Sequence, residues 1–246
     1  MLQNEYLKTV RELMDRIEAN AAAQTDAAAE AIVKSLVAGG ALYISPLGHG
    51  NDGDLLHRAG GLMAAQPFSF SFSCRDRGNG VERNRPRPEP YDNGLEQARV
   101  AMRGSTMRKG DCLVVGSVSG RTASAVSLAI AAREIGVTVI GITSLEYSGQ
   151  TAAIHSAGKK VDDVSDIVVD NCVPYGDAGM TIEGLEEKAV PMSGVATTLV
   201  CWMIKCQVIE KLLARGLKPS YYISANRPDG PDFNKRMQEQ FNRQGF

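Results

Sequence analysis

The residues best suited to chemistry lie in one short segment that begins at Ser117 and reads SVSGRT. It carries two further hydroxyls, Ser119 and Thr122, while Gly120 permits a tight turn and Arg121 adds a positive charge. Backbone N–H groups at the start of a helix lack partners and form a partly positive pole. The segment therefore predicts an anion site, with simple capping of a helix by serine or threonine as the alternative.

The flanking residues predict how this segment is positioned. Residues 112–115 form a valine-rich apolar run, which is typical of a buried strand, and residues 137–142 form a second one. Between them, residues 122–135 place apolar side chains three to four apart, which favours a helix. These three segments together predict a right-handed βαβ unit. Its hydroxyl-rich turn lies at the edge of the parallel sheet where ligands bind.

The remaining patterns predict the fold class. Residues 41–45 and 164–170 are further candidates for strands, and residues 191–215 predict a long, largely buried helix. Residues 4–38 have helical periodicity, which leaves open one kinked helix or two. We expect an α/β protein: a three-layer αβα sandwich with a flavodoxin-like parallel sheet and an N-terminal helical arm.

Composition excludes several classes of protein. A net charge of −1 over 246 residues argues against a nucleic-acid partner. No apolar run is long enough to cross a bilayer, and the N-terminus lacks the pattern of a secretory signal. The five cysteines form no CxxC pair, which favours reduced thiols and a cytoplasmic location.

The hydroxyl-rich turn resembles the phosphosugar-binding loop of the sugar isomerase (SIS) domain family, whose signature is Ser-x-Ser-Gly-x-Thr at the start of a helix. Ser117, Ser119, Gly120 and Thr122 match that signature position for position. The resemblance extends over residues 41–213 and is nearest to uncharacterised single-domain members of the family. It implies a sugar phosphate as the ligand.

The same resemblance assigns a second loop. The glycine-rich segment after the first strand stands in the place of the family's GxGxS loop, where Gly48 and Gly50 match. Asp52 replaces the serine and follows Asn51. These four residues are predicted to contact the ligand, and because a carboxylate repels phosphate, Asp52 is expected to turn away or to bind a sugar hydroxyl. His49, in the same loop, is the candidate for a second acid–base group because histidine titrates near neutrality.

The resemblance also implies a catalytic carboxylate. Family isomerases place a functional glutamate ahead of the last long helix, and this role falls on Glu183, with Ser193 as a binding residue. Glu186 and Glu187 are weaker candidates. A carboxylate whose pKa is raised in a partly dry pocket can remove a proton beside a carbonyl. The alternative is a surface glutamate near a helix start.

The predicted function is that of a sugar-phosphate aldose–ketose isomerase acting through an enediol. Two alternatives remain: a non-catalytic phosphosugar sensor, and a SIS lyase acting on an amino-sugar phosphate. No cofactor and no metal are expected, although His49, Asp52 and Glu183 form an alternative metal-ligand set. The resemblance implies a homodimer or larger homo-oligomer. It divides the chain into the arm at 1–40, the SIS domain at 41–218, and a tail at 219–246 that packs on the domain or on a partner subunit.

The segments between these elements carry local predictions of their own. Residues 54–65 are expected to form a helix, and alternating phenylalanines predict a half-buried strand within residues 67–74. The arginine- and proline-rich residues 75–94 predict a lid or a surface loop. Residues 173–188 are expected to be a loop, and His155 is expected on the surface.

Overall fold

A computed structural model describes residues 1–48, 52–73, 75 and 93–246. Its centre is a sheet of five parallel strands in the order β2-β1-β3-β4-β5. The strands are β1 (Leu42–Ile44), β2 (Ala65–Pro67), β3 (Cys112–Gly116), β4 (Thr138–Thr143) and β5 (Ile167–Asp170). A separate antiparallel pair is formed by β6 (Ala178–Met180) and β7 (Ala189–Pro191).

Helices cover both faces of the sheet. They are α1 (Leu2–Val37), α2 (Asp52–Leu55), α3 (Asn93–Gly104), α4 (Ala123–Glu134), α5 (Leu145–Gly149), α6 (Val161–Val164), α7 (Ser193–Ala214) and α8 (Gly230–Gln244). One core cluster joins α1 and α7 to the first face, and a second joins α3, α4 and α6 to the other. The three-layer αβα architecture predicted from the sequence is confirmed.

Strand β3 shows why both faces are covered. Its five residues are all buried, as a central parallel strand requires. Because side chains alternate across a strand, Cys112 and Val114 enter the cluster of α1 and α7, while Leu113 and Val115 enter the other. The turn that follows is thereby fixed at the carboxyl edge of the sheet.

The N-terminal segment is one uninterrupted helix of 36 residues rather than two helices. It packs along α7, and its alanine-rich middle is part of this contact, since Ala21 and Thr25 are both fully buried. Gln207 of α7 donates a hydrogen bond to the Thr25 hydroxyl over 3.1 Å. The first helix therefore contributes to the core of its own chain.

Two local predictions between β1 and α3 are wrong. The predicted helix at 54–65 ends at Leu55, because the following backbone pairs with the C-terminal tail instead. Gly60 donates to the Tyr222 carbonyl and Met63 to the Ser220 carbonyl. The predicted strand of alternating phenylalanines is also absent from the described residues 68–73, where Phe68 is buried and Phe72 is exposed.

The last predicted loop, 173–188, is partly regular, since it contains β6, which pairs with β7 directly after the loop. The tail is ordered by its own contacts: the Asn234 side chain both accepts from the Ile223 N–H and donates to the Ile223 carbonyl, each over 2.9 Å. Almost all of the predicted arginine-rich loop lies outside the described residues. The division into arm, domain and tail stays a prediction.

Candidate functional site

A cavity of about 460 Å³ lies where β1 and β3 end. Strand β2 lies beside β1 on one side of this point, and β4 and β5 follow β3 on the other side. Such a reversal of strand order leaves a crevice at the carboxyl edge of a parallel sheet, which is where α/β proteins bind ligands. The cavity therefore occupies the position that the topology favours for a site.

The hydroxyl-rich turn forms one end of this cavity. Ser117, Thr122 and Ser124 line it. The Ser117 and Thr122 hydroxyl oxygens are 2.8 Å apart, and the Thr122 N–H donates to the Ser117 hydroxyl over 3.2 Å. Thr122 is the N-cap of α4, but its side chain makes no capping hydrogen bond. The first turn of α4 thus opens into the cavity, with hydroxyls beside its N–H groups.

Gly120 shapes this turn rather than lining the cavity. Its φ is +71°, and a Cβ there would lie 2.6 Å from the Ser148 hydroxyl and 2.8 Å from an Asp162 carboxylate oxygen. Any side chain would be both strained and blocked. Ser119 and Arg121 are half-buried and are not among the described residues that line the cavity. Their predicted contact with the ligand stays a prediction.

The loop after β1 forms the adjoining wall. Pro46, Leu47 and Gly48 line the cavity, and Gly48 has a φ of +78°. The wall lies tightly against β3, because a Cβ on Gly116 would be 3.0 Å from the Leu47 carbonyl oxygen. Of the other predicted residues in this loop, His49, Gly50, Asn51 and the side chain of Asp52 lie outside what the structure describes.

An aromatic wall closes the cavity, and the sequence reasoning missed it. Phe68 and Phe70, with ring centroids 6.2 Å apart, line it together with Leu128 of α4 and Gln97 of α3. The signal is present in the alternating phenylalanines, whose period of two favours a strand instead. The described lining contains no charged side chain. Binding of an anion to this lining therefore relies on the N–H groups at the start of α4 and on uncharged hydrogen-bond donors.

Comparison with known proteins agrees with this architecture. A family model described as the SIS domain matches residues 5–144, which is more than half of the chain. The chain belongs to the SIS domain family. A UPF0309 protein of Streptomyces avermitilis is 31% identical over 98% of this chain and 95% of its own length. A UPF0309 protein of Caldanaerobacter subterraneus is 29% identical over 96% of each chain.

Among solved structures, this SIS domain protein is similar in fold to the phosphoheptose isomerase of Neisseria gonorrhoeae. The TM-score is 0.50 at 18% identity, and the match covers 84% of this chain and 96% of the other. At that identity the likeness shows the fold alone.

The predicted carboxylate of this SIS domain protein lies away from the cavity. Glu183 is exposed in the turn between β6 and β7, as are Glu186 and Glu187. Glu183 is not among the described lining residues. In this single chain the structure therefore does not bring the proposed base to the proposed phosphate site.

Ser193 is also held elsewhere. It is buried, and its hydroxyl donates to the Asp177 carboxylate over 2.8 Å. The other oxygen of that carboxylate accepts from the backbone N–H groups of Met192 and Ser193, over 3.1 and 2.8 Å. Asp177 thus caps α7, and the Ser193 hydroxyl is part of that cap. Its role as a binding residue stays a prediction.

The prediction that His155 lies on the surface is wrong. It is 5% exposed, and its Nε2 lies 3.0 Å from the hydroxyl of Ser127, which is also buried. The Ala157 N–H donates to His155 Nδ1 over 3.0 Å, so both ring nitrogens have partners inside the protein.

Three of the described cysteines are buried, as expected of thiols in the core: Cys112, Cys172 and Cys201. Burial raises the pKa of Cys112 and of Cys201 to about 12 and that of Cys172 to about 11. Cys206 is exposed.

Within the described ranges, no group of three or more histidine, cysteine or acidic residues is placed to hold a metal. In the same ranges, no helix is long and apolar enough to cross a membrane.

Proposed function

We propose that this protein binds a sugar phosphate in the cavity at the ends of β1 and β3. The phosphate lies at the start of α4, where it accepts from backbone N–H groups and from the hydroxyls of Ser117 and Thr122. The observation that carries this proposal is the helix start opening into a cavity of about 460 Å³. Membership of the SIS family and the isomerase fold of the Neisseria protein support it.

The sugar then occupies the rest of the cavity. Gln97 offers an amide to its hydroxyls, and the Phe68 and Phe70 rings offer a surface to its C–H faces. Ser119 completes the hydroxyl cluster if the turn closes over the phosphate. These contacts with the sugar supplement the phosphate site, since the described lining contains no charged side chain.

Catalysis is the finer part of the proposal: aldose–ketose isomerisation through an enediol, with Glu183 as the base. In the single chain Glu183 is exposed and does not line the cavity. We therefore propose that the active form is a homodimer or larger homo-oligomer in the cytoplasm, in which Glu183 acts at the site of a second subunit. A SIS lyase would use the same carboxylate.

A second candidate, a non-catalytic sugar-phosphate sensor, is favoured by one observation. None of the described side chains that line the cavity titrates in the neutral range. Binding needs only hydrogen-bond donors, whereas isomerisation also needs a group that takes and returns a proton.

Two measurements test these proposals. A thermal-shift panel of pentose, hexose, heptose and amino-sugar phosphates, with unphosphorylated sugars as controls, should show stabilisation by phosphorylated compounds alone. If no phosphorylated sugar raises the melting temperature, the binding proposal is wrong.

Incorporation of deuterium from heavy water into the bound sugar, followed by NMR, separates an isomerase from a sensor. Glu183→Gln should abolish that exchange and leave binding intact, with Glu187→Gln as the matched control. Absence of exchange in the wild-type protein, with binding present, identifies a sensor.

A further inference from the structure

A buried lysine in the core of the protein is not explained by the site described so far. Lys205, on α7, is 3% exposed. It borders a void of about 20 Å³ whose other lining is apolar apart from Cys201. An ammonium group is costly to bury without a partner, and lysine is among the residues least often found inside. Its presence therefore calls for a specific contact.

That contact is the end of α2. The Lys205 ammonium donates a hydrogen bond to the carbonyl oxygen of Leu55, the last residue of the helix. It also lies 4.8 Å from the centre of the Trp202 ring, within the range of a cation–π interaction. No ion pair of Lys205 exists with any carboxylate that the structure describes. The lysine thus stabilises a terminal carbonyl of a short helix.

Helix α2 is closely tied to the wall of the cavity. Three residues separate Gly48 from the start of α2, so the two lie within about 14 Å of each other. On the other side of the wall, Ser45 is held to β3, where its N–H and its hydroxyl both donate to the Val114 carbonyl. Residues 46–48 therefore follow directly on a point fixed by β3, and Lys205 holds the end of the next described element, α2.

We propose that Lys205 is a positioning residue: by holding the end of α2 it sets the place of residues 46–48 and thereby the width of the ligand cavity. The proposal rests on the proposed function, because that wall matters for binding only if the cavity takes the sugar phosphate. Lys205 itself does not line the cavity.

The main test replaces the ammonium by an apolar group of similar length. In Lys205→Met the Leu55 carbonyl loses its donor while the cost of a buried charge is removed, so we expect the melting temperature to change little. Affinity for glucose 6-phosphate, measured by calorimetry, should fall at least fivefold. Lys211→Met is the matched control, because Lys211 is on the same helix but pairs with Asp26 over 2.7 Å instead of with the end of α2. The control should bind as the wild type does.

Hydrogen exchange tests the positioning directly and needs no ligand. Amides in the peptide that contains Leu47 and Leu55 should exchange faster in Lys205→Met, whereas those of α4 should not change. If the variant folds and shows unchanged exchange and unchanged affinity, the positioning role is wrong. If the wild-type protein binds no sugar phosphate, the proposed function fails, while the exchange comparison still decides the role of Lys205.

The pH dependence provides a readout that a purely structural lysine would not move. Burial lowers the pKa of Lys205 to about 8, and the nearby Cys201 thiol stays protonated because burial raises its pKa to about 12. The other residues that face the lysine across the void are apolar: Ile32, Leu42, Ile44, Leu55, Val114, Ile204 and Val208. Wild-type affinity should therefore fall between about pH 7.5 and 9.5, where the phosphate of the ligand remains a dianion.

Lys205→Met should lack that fall in affinity, and an identical pH profile in the two proteins would overturn the proposal. If Lys205→Met does not fold, Lys205→Gln, which keeps an N–H donor, takes its place. If the Lys205→Gln protein has the affinity, the hydrogen exchange and the pH profile of the wild-type protein, the proposed role of the charge is wrong.

Discussion

Helices α4 and α7 each begin with a serine or threonine beside them, and they begin in different ways. At α4, the Thr122 side chain makes no cap, and the first turn opens into the cavity at the sheet edge. At α7, the Asp177 carboxylate accepts three hydrogen bonds from Met192 and Ser193. The first helix start is open to a ligand, whereas the second is occupied by a carboxylate from the chain itself.

This difference shows that a hydroxyl at a helix start does not by itself indicate a binding site. Both helices offer the same unpaired N–H groups and the same partial charge. What separates them is whether an internal anion reaches those groups. The family resemblance assigns Ser193 to the ligand, yet its hydroxyl is bonded to the residue that makes α7 unavailable.

The largest effect should come from making α4 resemble α7. Ser124→Asp places a carboxylate in the first turn of α4, at the cavity lining, where it competes with a phosphate and repels it. We expect sugar-phosphate binding to weaken more than about 100-fold, while stability is unchanged or gains up to about 1 kcal/mol. Calorimetry and thermal melting measure the two, with Ser124→Asn as the neutral control. Tight binding by Ser124→Asp would mean that the phosphate lies elsewhere.

The opposite change removes the internal carboxylate. Asp177→Ala leaves the start of α7 without its three hydrogen bonds, so the free energy of unfolding should fall by about 2 kcal/mol. Denaturant unfolding measures this loss. Asp177→Asn, which tolerates the φ of 69° at this position and keeps one acceptor, should lose less. Ligand affinity of the folded variants should not change, and a loss there would connect α7 to the binding site.

The smallest effect concerns the hydroxyls of the open helix start. Ser119→Ala combined with Thr122→Ala should weaken sugar-phosphate binding about 10-fold, because two donors are lost, with little change in melting temperature. Ser193→Ala is the matched control at α7: it should reduce stability by about 1 kcal/mol and leave binding unchanged. Equal affinity in the double variant and the wild type would remove these hydroxyls from the site.

Much of the fold could be predicted because its signals are local. The runs that form β3 and β4 are apolar on both faces, and the segment between them has helical spacing, so neighbouring residues alone predict the βαβ unit. Gly120 is predicted to permit a tight turn, and it does so with a φ of +71°. The end of a buried strand also places the hydroxyls at the sheet edge without any knowledge of distant contacts.

The errors share one physical cause, which is contact with residues far away in the chain. Residues 56–65 follow a helical pattern, but their backbone pairs with the tail about 160 residues later. His155 has polar neighbours in sequence, yet Ser127 of α4 holds it inside. Local periodicity carries no information about either partner.

The amino-acid pattern alone is thus sufficient for the parallel sheet, the helix that follows β3 and the hydroxyls at its start, because each depends on residues a few positions apart. Folding in three dimensions settles which helix start stays open, where the aromatic wall lies and why a lysine is buried beside the end of α2. The first of these features depends on Asp177 reaching α7 and the last on Lys205 reaching α2, across 16 and 150 residues of chain respectively. Such pairings are selected by packing of the whole core and leave no periodic trace in the sequence.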